Sequence, residues 1–209
     1  MKYKIPLLVA VLASSLSITS LTSAEESGDS AAGKVKSESC QGCHGADGNS
    51  YGPDWPHLAD QHESYLIKQI KNFQQGERTN ETMNAMVSGL SEKDIADVAA
   101  YFASQKVKPS NEAIDSTKIK AGRKIYKGGN PYSGIPACAG CHGPNGVGNG
   151  PAKFPYLAGQ QQQYLVKTLN DFKNGSRNND YNEIMRKIAS KMTASEIASV
   201  AAYITTLQQ

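Results

Sequence analysis

Cys40-Gln41-Gly42-Cys43-His44 and Cys138-Ala139-Gly140-Cys141-His142 between them contain all four cysteines of a 209-residue chain. A C-x-x-C-H run is the attachment signature of c-type haem. The spacing has a mechanical reason. Two thiols three positions apart reach the two vinyl groups of one porphyrin, and the adjacent imidazole falls beneath the iron. A single run would also suit a redox dithiol or half of a zinc site. Two runs that each continue into His-Gly, and together consume every cysteine, favour haem over both. The sequence therefore implies two covalently bound haem c groups, held through Cys40 and Cys43 and through Cys138 and Cys141, with no cysteine left for a disulfide.

Outward from these runs the chain repeats itself. Cys43 and Cys141 are 98 positions apart, as are Gly48 and Gly146. The offset then becomes 99 for Trp55/Phe154, Pro56/Pro155, Tyr65/Tyr164, Phe73/Phe172 and Arg78/Arg177, and 102 for Ile95/Ile197 and Tyr101/Tyr203. Such agreement, with gaps confined to loop-like stretches, means two copies of one fold. Each copy reads as helical. A short helix (Ala32 to Ser37, and Ile119 to Tyr126) leads into the haem staple, and in the second copy an extra loop spans Lys127 to Pro136. A middle helix follows at His62 to Gln74, with Tyr65, Leu66, Gln69, Ile70 and Phe73 at helical spacing. The last helix opens with Ser91-x-x-Asp94 or Thr193-x-x-Glu196, each resembling a capping box. No stretch alternates with period two. The expected fold is all-α, with two tandem haem domains at 25–106 and 118–209 joined by a linker at 107–117, where Pro109, Ser110 and Asn111 break any helix. Residues 1–24 read as a secretory signal peptide cleaved after Ala24, with Lys2 and Lys4 before an apolar run. The serines and threonines of that run make an uncleaved membrane anchor the poorer reading.

His44 and His142 are the expected axial ligands on one side of each iron. The repeat selects the ligand opposite. Met86 aligns with Ile188 and Met192 with Leu90, so those columns ask only for a hydrophobe, and both methionines are expected in the core. Met83 aligns with Met185, the one column that keeps sulfur in both copies. His57 aligns with Tyr156 and His62 with Gln161, which argues against a second imidazole on either iron. A neutral thioether raises the potential relative to bis-imidazole ligation, and two filled axial positions leave none for peroxide or dioxygen. This is the constitution of an electron carrier. The rival is a dihaem enzyme such as a peroxidase, which needs an open ligand position and an acid-base group; no histidine or carboxylate suited to that is shared by both copies. Pro56 and Pro155 follow their histidines by 12 and 13 residues. Their carbonyls are placed to accept the ligand Nδ1–H, and a merely rigid turn is the competing explanation. The paired aromatics at 55/154, 65/164 and 73/172 are expected against the porphyrins or in the helical core.

Charge divides unevenly. From Glu25 to Lys108 there are 13 acids and 8 bases, and from Pro109 to Gln209 there are 6 acids and 12 bases. A chain near neutrality overall is thus strongly dipolar, which suits steering one end toward one partner and offers nothing to nucleic acid.

With staples, ligands and repeat in hand, the chain resembles the cytochrome c4 family, dihaem members of the class I cytochromes c. The resemblance rests on the paired C-x-x-C-H runs, the Pro-x-Leu-Ala-x-Gln turns (Pro56 to Gln61 and Pro155 to Gln160), the Tyr-Leu-x-Lys starts of the middle helices and the Ala-Ala-Tyr of the final ones. It implies two cytochrome c domains related by an approximate two-fold axis, with axial methionines at Met83 and Met185. It further implies periplasmic electron transport from a quinol-oxidising complex or another cytochrome to a terminal oxidase, with peripheral membrane association possible. One departure stands out: the first copy has Asp60 where the family, and the second copy at Gly159, have glycine.

Overall fold

The computed structural model describes Met1 and residues 27–110 and 113–208. Apart from Met1, the leader expected at 1–24 lies outside the described residues. Among them there is no β-strand, only isolated bridges between Asn130 and Ile135 and between Asn149 and Phe154. The first half holds α1 (Ser30–Lys36), α2 (Gln41–His44), α3 (Glu63–Gln74), α4 (Glu81–Val87) and α5 (Glu92–Ser104); the second holds α6 (Ser116–Gly128), α7 (Ala139–His142), α8 (Gln162–Asn174), α9 (Ile184–Ala189) and α10 (Ala194–Thr205). None of these helices is long and apolar enough to cross a membrane.

Local chemistry sets the boundaries. The Asp29 carboxylate accepts from the amides of Ala31 and Ala32 and starts α1, and Asp115 accepts from Thr117 and starts α6. Both N-terminal helices therefore begin earlier than apolar periodicity alone suggests. Both expected capping boxes are present. Ser91 and Asp94 exchange hydrogen bonds at the head of α5, and Thr193 and Glu196 do so at the head of α10. Each box satisfies amides that a helix start would otherwise leave open, worth about 1 kcal/mol.

In each half the first and last helices cross in contact, and a glycine makes the crossing possible. A Cβ on Gly33 would stand 1.9 Å from the Asp97 carbonyl oxygen, and one on Gly122 would stand 1.9 Å from that of Ser199. The apolar faces of α3 and α5 meet at Leu66, Val98, Ala99 and Phe102, and those of α8 and α10 at Leu165, Val200, Ala201 and Ile204. Met192 belongs to this second core at 2% exposure, as expected. Met86 does not: it is 45% exposed. It lies on the flank of α4 while Val87, one residue on, turns inward, so the hydrophobic column in the repeat describes Ile188 better than Met86. Helices α4 and α9 were not anticipated, because seven and six residues are too few to show a 3.6-residue period.

The two halves are bound by reciprocal hydrogen bonds. Gln61 donates to the Tyr156 carbonyl at 3.0 Å and accepts from the Tyr156 amide at 2.8 Å. Gln160 does the same to His57, at 2.9 and 2.8 Å. The equivalence of these pairs is the approximate two-fold. Val107, beyond the end of α5, is held between the corresponding turns: its amide donates to Asp60 at 2.8 Å, and its side chain is 3.3 Å from where a Gly159 Cβ would be. Asp60 adopts the left-handed conformation of Gly159 (φ 57° against 67°), so the substituted turn keeps its shape and gains a carboxylate that also pairs with Lys106.

Candidate functional site

In each half the C-x-x-C-H run coils into a single helical turn, α2 or α7, entered from Cys40 or Cys138 and closed by a glycine. None of the four cysteines is in a disulfide; Cys40, Cys43 and Cys138 are partly buried and Cys141 is exposed. Burial raises the pKa of Cys40, and that of Cys138 to about 11, so neither is the acidic thiolate of a redox dithiol.

His44 and His142 are buried, at 7% and 8% exposure. Burial holds both below the ordinary histidine range, although hydrogen bonds to proline carbonyls oppose it. Each ring is therefore neutral near pH 7. The Nδ1 of His44 is 2.9 Å from the Pro56 carbonyl, and that of His142 is 3.1 Å from the Pro155 carbonyl. A carbonyl only accepts, so Nδ1 carries the proton and Nε2 is left with its lone pair, the form in which imidazole binds a metal. The prolines thus do more than stiffen a turn. The carbonyl-to-imidazole bond that spacing alone left undecided is present in both copies.

Met83 is partly buried on α4, its amide accepted by the Asn80 side chain at 3.0 Å. Met185 is partly buried near the start of α9. There the helix is tied by Asp180, which accepts from the Arg186 amide at 3.0 Å and from its Nε at 2.7 Å. His57 and His62 serve other ends. His57 Nδ1 accepts from the Ser50 amide at 2.9 Å, and His62 Nε2 bonds the Val147 carbonyl across the interface at 2.8 Å.

The aromatic pairs divide by role. Phe73 and Phe172 are buried beneath Arg78 and Arg177, whose guanidinium carbons lie 4.6 and 4.5 Å from the ring centroids. Phe154 lies 6.2 Å from His142, centroid to centroid. Trp55, in contrast, is 44% exposed and packs on Gly52 rather than entering the helical core. Tyr65 and Tyr164 reach across the interface. Arg177 donates to the Tyr65 hydroxyl at 2.9 Å and Arg78 to that of Tyr164 at 3.1 Å, with Gln69 Oε1 accepting from both guanidinium groups. Burial pushes the Tyr164 hydroxyl up, but the two arginines outweigh it and hold the pKa down to about 7. Sequence reading placed these tyrosines at a haem or in the core. The signal for a cross-domain pair was there in the equal offset of Tyr65/Tyr164 and Arg78/Arg177, but nothing in one copy says that its partner lies in the other.

The donor set of each half suits an iron porphyrin: two thiols for thioethers, a neutral imidazole with Nε2 free, and a thioether sulfur on a separate short helix.

A family model for cytochrome c matches residues 30–106 and again 119–208. A cytochrome c4 from Pseudomonas aeruginosa is 45% identical over 199 residues, 95% of this chain and 96% of its own. The crystal structure of reduced recombinant cytochrome c4 from Pseudomonas stutzeri matches with a TM-score of 0.82 and 43% identity, covering 87% of this chain and all of that one. A thiosulfate dehydrogenase electron acceptor from Stutzerimonas stutzeri is 36% identical, over 81% of this chain and 79% of its own.

Proposed function

Since the chain belongs to the cytochrome c4 family, and is with it a dihaem c-type electron carrier, we propose that it works as a periplasmic shuttle delivering electrons to a terminal oxidase, with no substrate chemistry of its own. Cys40 and Cys43 would hold one haem and Cys138 and Cys141 the other, in domains spanning 25–106 and 118–209. His44 with Met83, and His142 with Met185, would be the axial pairs. Haem bound in this way supplies one-electron chemistry at an iron whose ligands need not change. The chain's own residues keep that iron's surroundings fixed. The proline carbonyls hold each imidazole in one tautomer and orientation, and Asn80 and Asp180 anchor the two methionine helices.

The observation that carries this reading is the repeated bond from Nδ1 to the proline carbonyl, which leaves Nε2 free in both copies. The test is a pair of holoprotein variants, Met83→Ala and Met185→Ala. Each is expected to remove about half of the methionine-to-ferric-iron charge-transfer absorption and to turn one haem, and only one, high-spin. An unchanged spectrum would overturn the ligand assignment and, with it, the closed-iron carrier.

The donor admits a second reading, favoured by the relative that accepts electrons from a thiosulfate dehydrogenase. A quinol-oxidising complex and a thiosulfate dehydrogenase are the two donors to compare. Mixing the oxidised protein with each donor, and comparing second-order reduction rates at low and high salt, discriminates them.

A further inference from the structure

The two interface glutamines touch more than backbone in general. Pro56 contributes the carbonyl, and His57 the N–H, of one and the same peptide group. That carbonyl accepts from His44 Nδ1 at 2.9 Å, while that N–H donates to Gln160 Oε1, in the other half of the molecule, at 2.8 Å. The second copy repeats the arrangement in reverse. The Pro155–Tyr156 peptide accepts from His142 at 3.1 Å and donates to Gln61 Oε1 at 2.8 Å. Gln61 and Gln160 are each 6% exposed, so water does not compete for these contacts. Both carboxamides also return a bond to the carbonyl of residue 156 or 57, which fixes their orientation.

We propose that Gln160 and Gln61 are positioning residues that tune the haem of the opposite domain, each acting through the peptide that holds the other domain's axial histidine. The inference rests on the assignment of His44 and His142 as iron ligands. Its physics is hydrogen-bond polarisation. An amide whose N–H is already donated carries more negative charge on its oxygen, and successive bonds in such a chain strengthen one another by about 10–30%. A stronger acceptor at Nδ1 gives the imidazole more imidazolate character, and the better-donating ligand favours ferric iron. The wiring is crossed. The C-terminal domain sets the N-terminal haem through Gln160, and the N-terminal domain sets the C-terminal haem through Gln61.

The crossing is what an experiment can read. In the holoprotein, Gln160→Leu is expected to raise the potential of the N-terminal haem and Gln61→Leu that of the C-terminal haem. The reduced-to-oxidised ratio at fixed ambient potential should rise about threefold to tenfold, roughly 30–60 mV by the one-electron relation of 59 mV per tenfold. The haems are distinguished by NMR of their assigned methyl groups during the titration. Ser64→Ala is the control. It removes a cross-domain bond, Ser64 Oγ to the Gly150 carbonyl at 2.6 Å, that touches neither chain, and it should move neither potential. A shift confined to the haem of the mutated domain, an equal shift of both, or none would overturn the proposal. If the leucine variants do not fold, the wild type still decides. A scalar coupling across the hydrogen bond from the His57 amide nitrogen to the Gln160 carboxamide carbon must be present, and its absence ends the idea. Failure of the ligand assignment would look different, since it appears in the spin states of the methionine variants whatever the glutamines do.

Discussion

The N-terminal and C-terminal halves solve one problem twice, and they differ least where the backbone has no latitude. A Cβ added to Gly33 or Gly122 would stand the same 1.9 Å from a carbonyl oxygen, Arg78 and Arg177 lie over equivalent phenylalanines, and both imidazoles bond a proline carbonyl. The halves diverge where a side chain meets a loop. His57 stands opposite Tyr156 and Asp60 opposite Gly159, and the methionine helix is entered through an Asn80 cap in one copy and a left-handed turn in the other. Positions that carry the haem framework are duplicated. Positions that only complete a turn have drifted, each with a local compensation.

The strongest test of that division is at the helix crossings. Gly33→Ala and Gly122→Ala each place a Cβ inside a backbone carbonyl that cannot move without displacing α5 or α10. Overpacking against backbone is expected to cost about 3 kcal/mol or more. The loss should appear in the mutated half alone, as an early transition in denaturant followed at each haem. A mild effect in one copy and a severe one in the other would break the claim that the crossings are equivalent.

The next effect belongs to one half only. Burial drives the pKa of His57 down to about 4, with the charge of Asp47 opposing it. Its Nδ1 must stay unprotonated to accept from Ser50. The unfolded chain takes up its proton near pH 6.5. Stability contributed by this group is therefore complete above that value and is lost as pH falls from about 6.5 to 4. Allowing for the ring's partial exposure, the loss is on the order of 1 kcal/mol. His57→Asn keeps an acceptor for the Ser50 amide and should flatten the slope over that window, as seen in denaturant midpoints collected at several pH values. A variant as steep as the wild type would place the titration elsewhere.

These cases show what the sequence made legible. Two C-x-x-C-H runs, a repeat at a nearly constant offset and two capping boxes were enough for an all-α fold of two like domains, because each copy is shaped by short-range chemistry. Met83 and Met185 were paired by comparing one copy with the other, and their role as ligands stays a proposal. What stayed hidden was relational. Gln61 reads as the end of a turn, and nothing near it in the chain says that its carboxamide grips Tyr156, 95 residues away. Arg177 and Tyr65 sit 112 residues apart and meet only because the domains pack on an approximate two-fold. Met86 misled for a simpler reason: its column in the repeat asks for a hydrophobe, and a seven-residue helix has too little periodicity to show which flank faces inward.

The smallest expected effect lies where the halves differ most in backbone. Asn80 opens α4 in extended conformation (φ −163°) and its side chain accepts from Met83. The approach to α9 instead passes through Asn182 and Glu183 at φ 50° and 60°. Left-handed backbone costs a non-glycine residue roughly 1–2 kcal/mol, less for asparagine, whose short side chain tolerates it. Glu183 recovers part of this through surface pairs with Lys187 at 3.2 Å and Arg186 at 3.6 Å, contacts of the kind worth little in water. Glycine removes the strain but makes the unfolded chain more disordered, at about 0.5–1 kcal/mol. Glu183→Gly should therefore stabilise the C-terminal half by only about 0.5 kcal/mol, while Asn182→Gly should be close to neutral. Denaturation followed through the charge-transfer absorption proposed for Met185 measures both. If Glu183→Gly weakens that half instead, the ion pairs outweigh the backbone, and the left-handed entry is the C-terminal copy's counterpart of the Asn80 cap rather than a strained substitute for it.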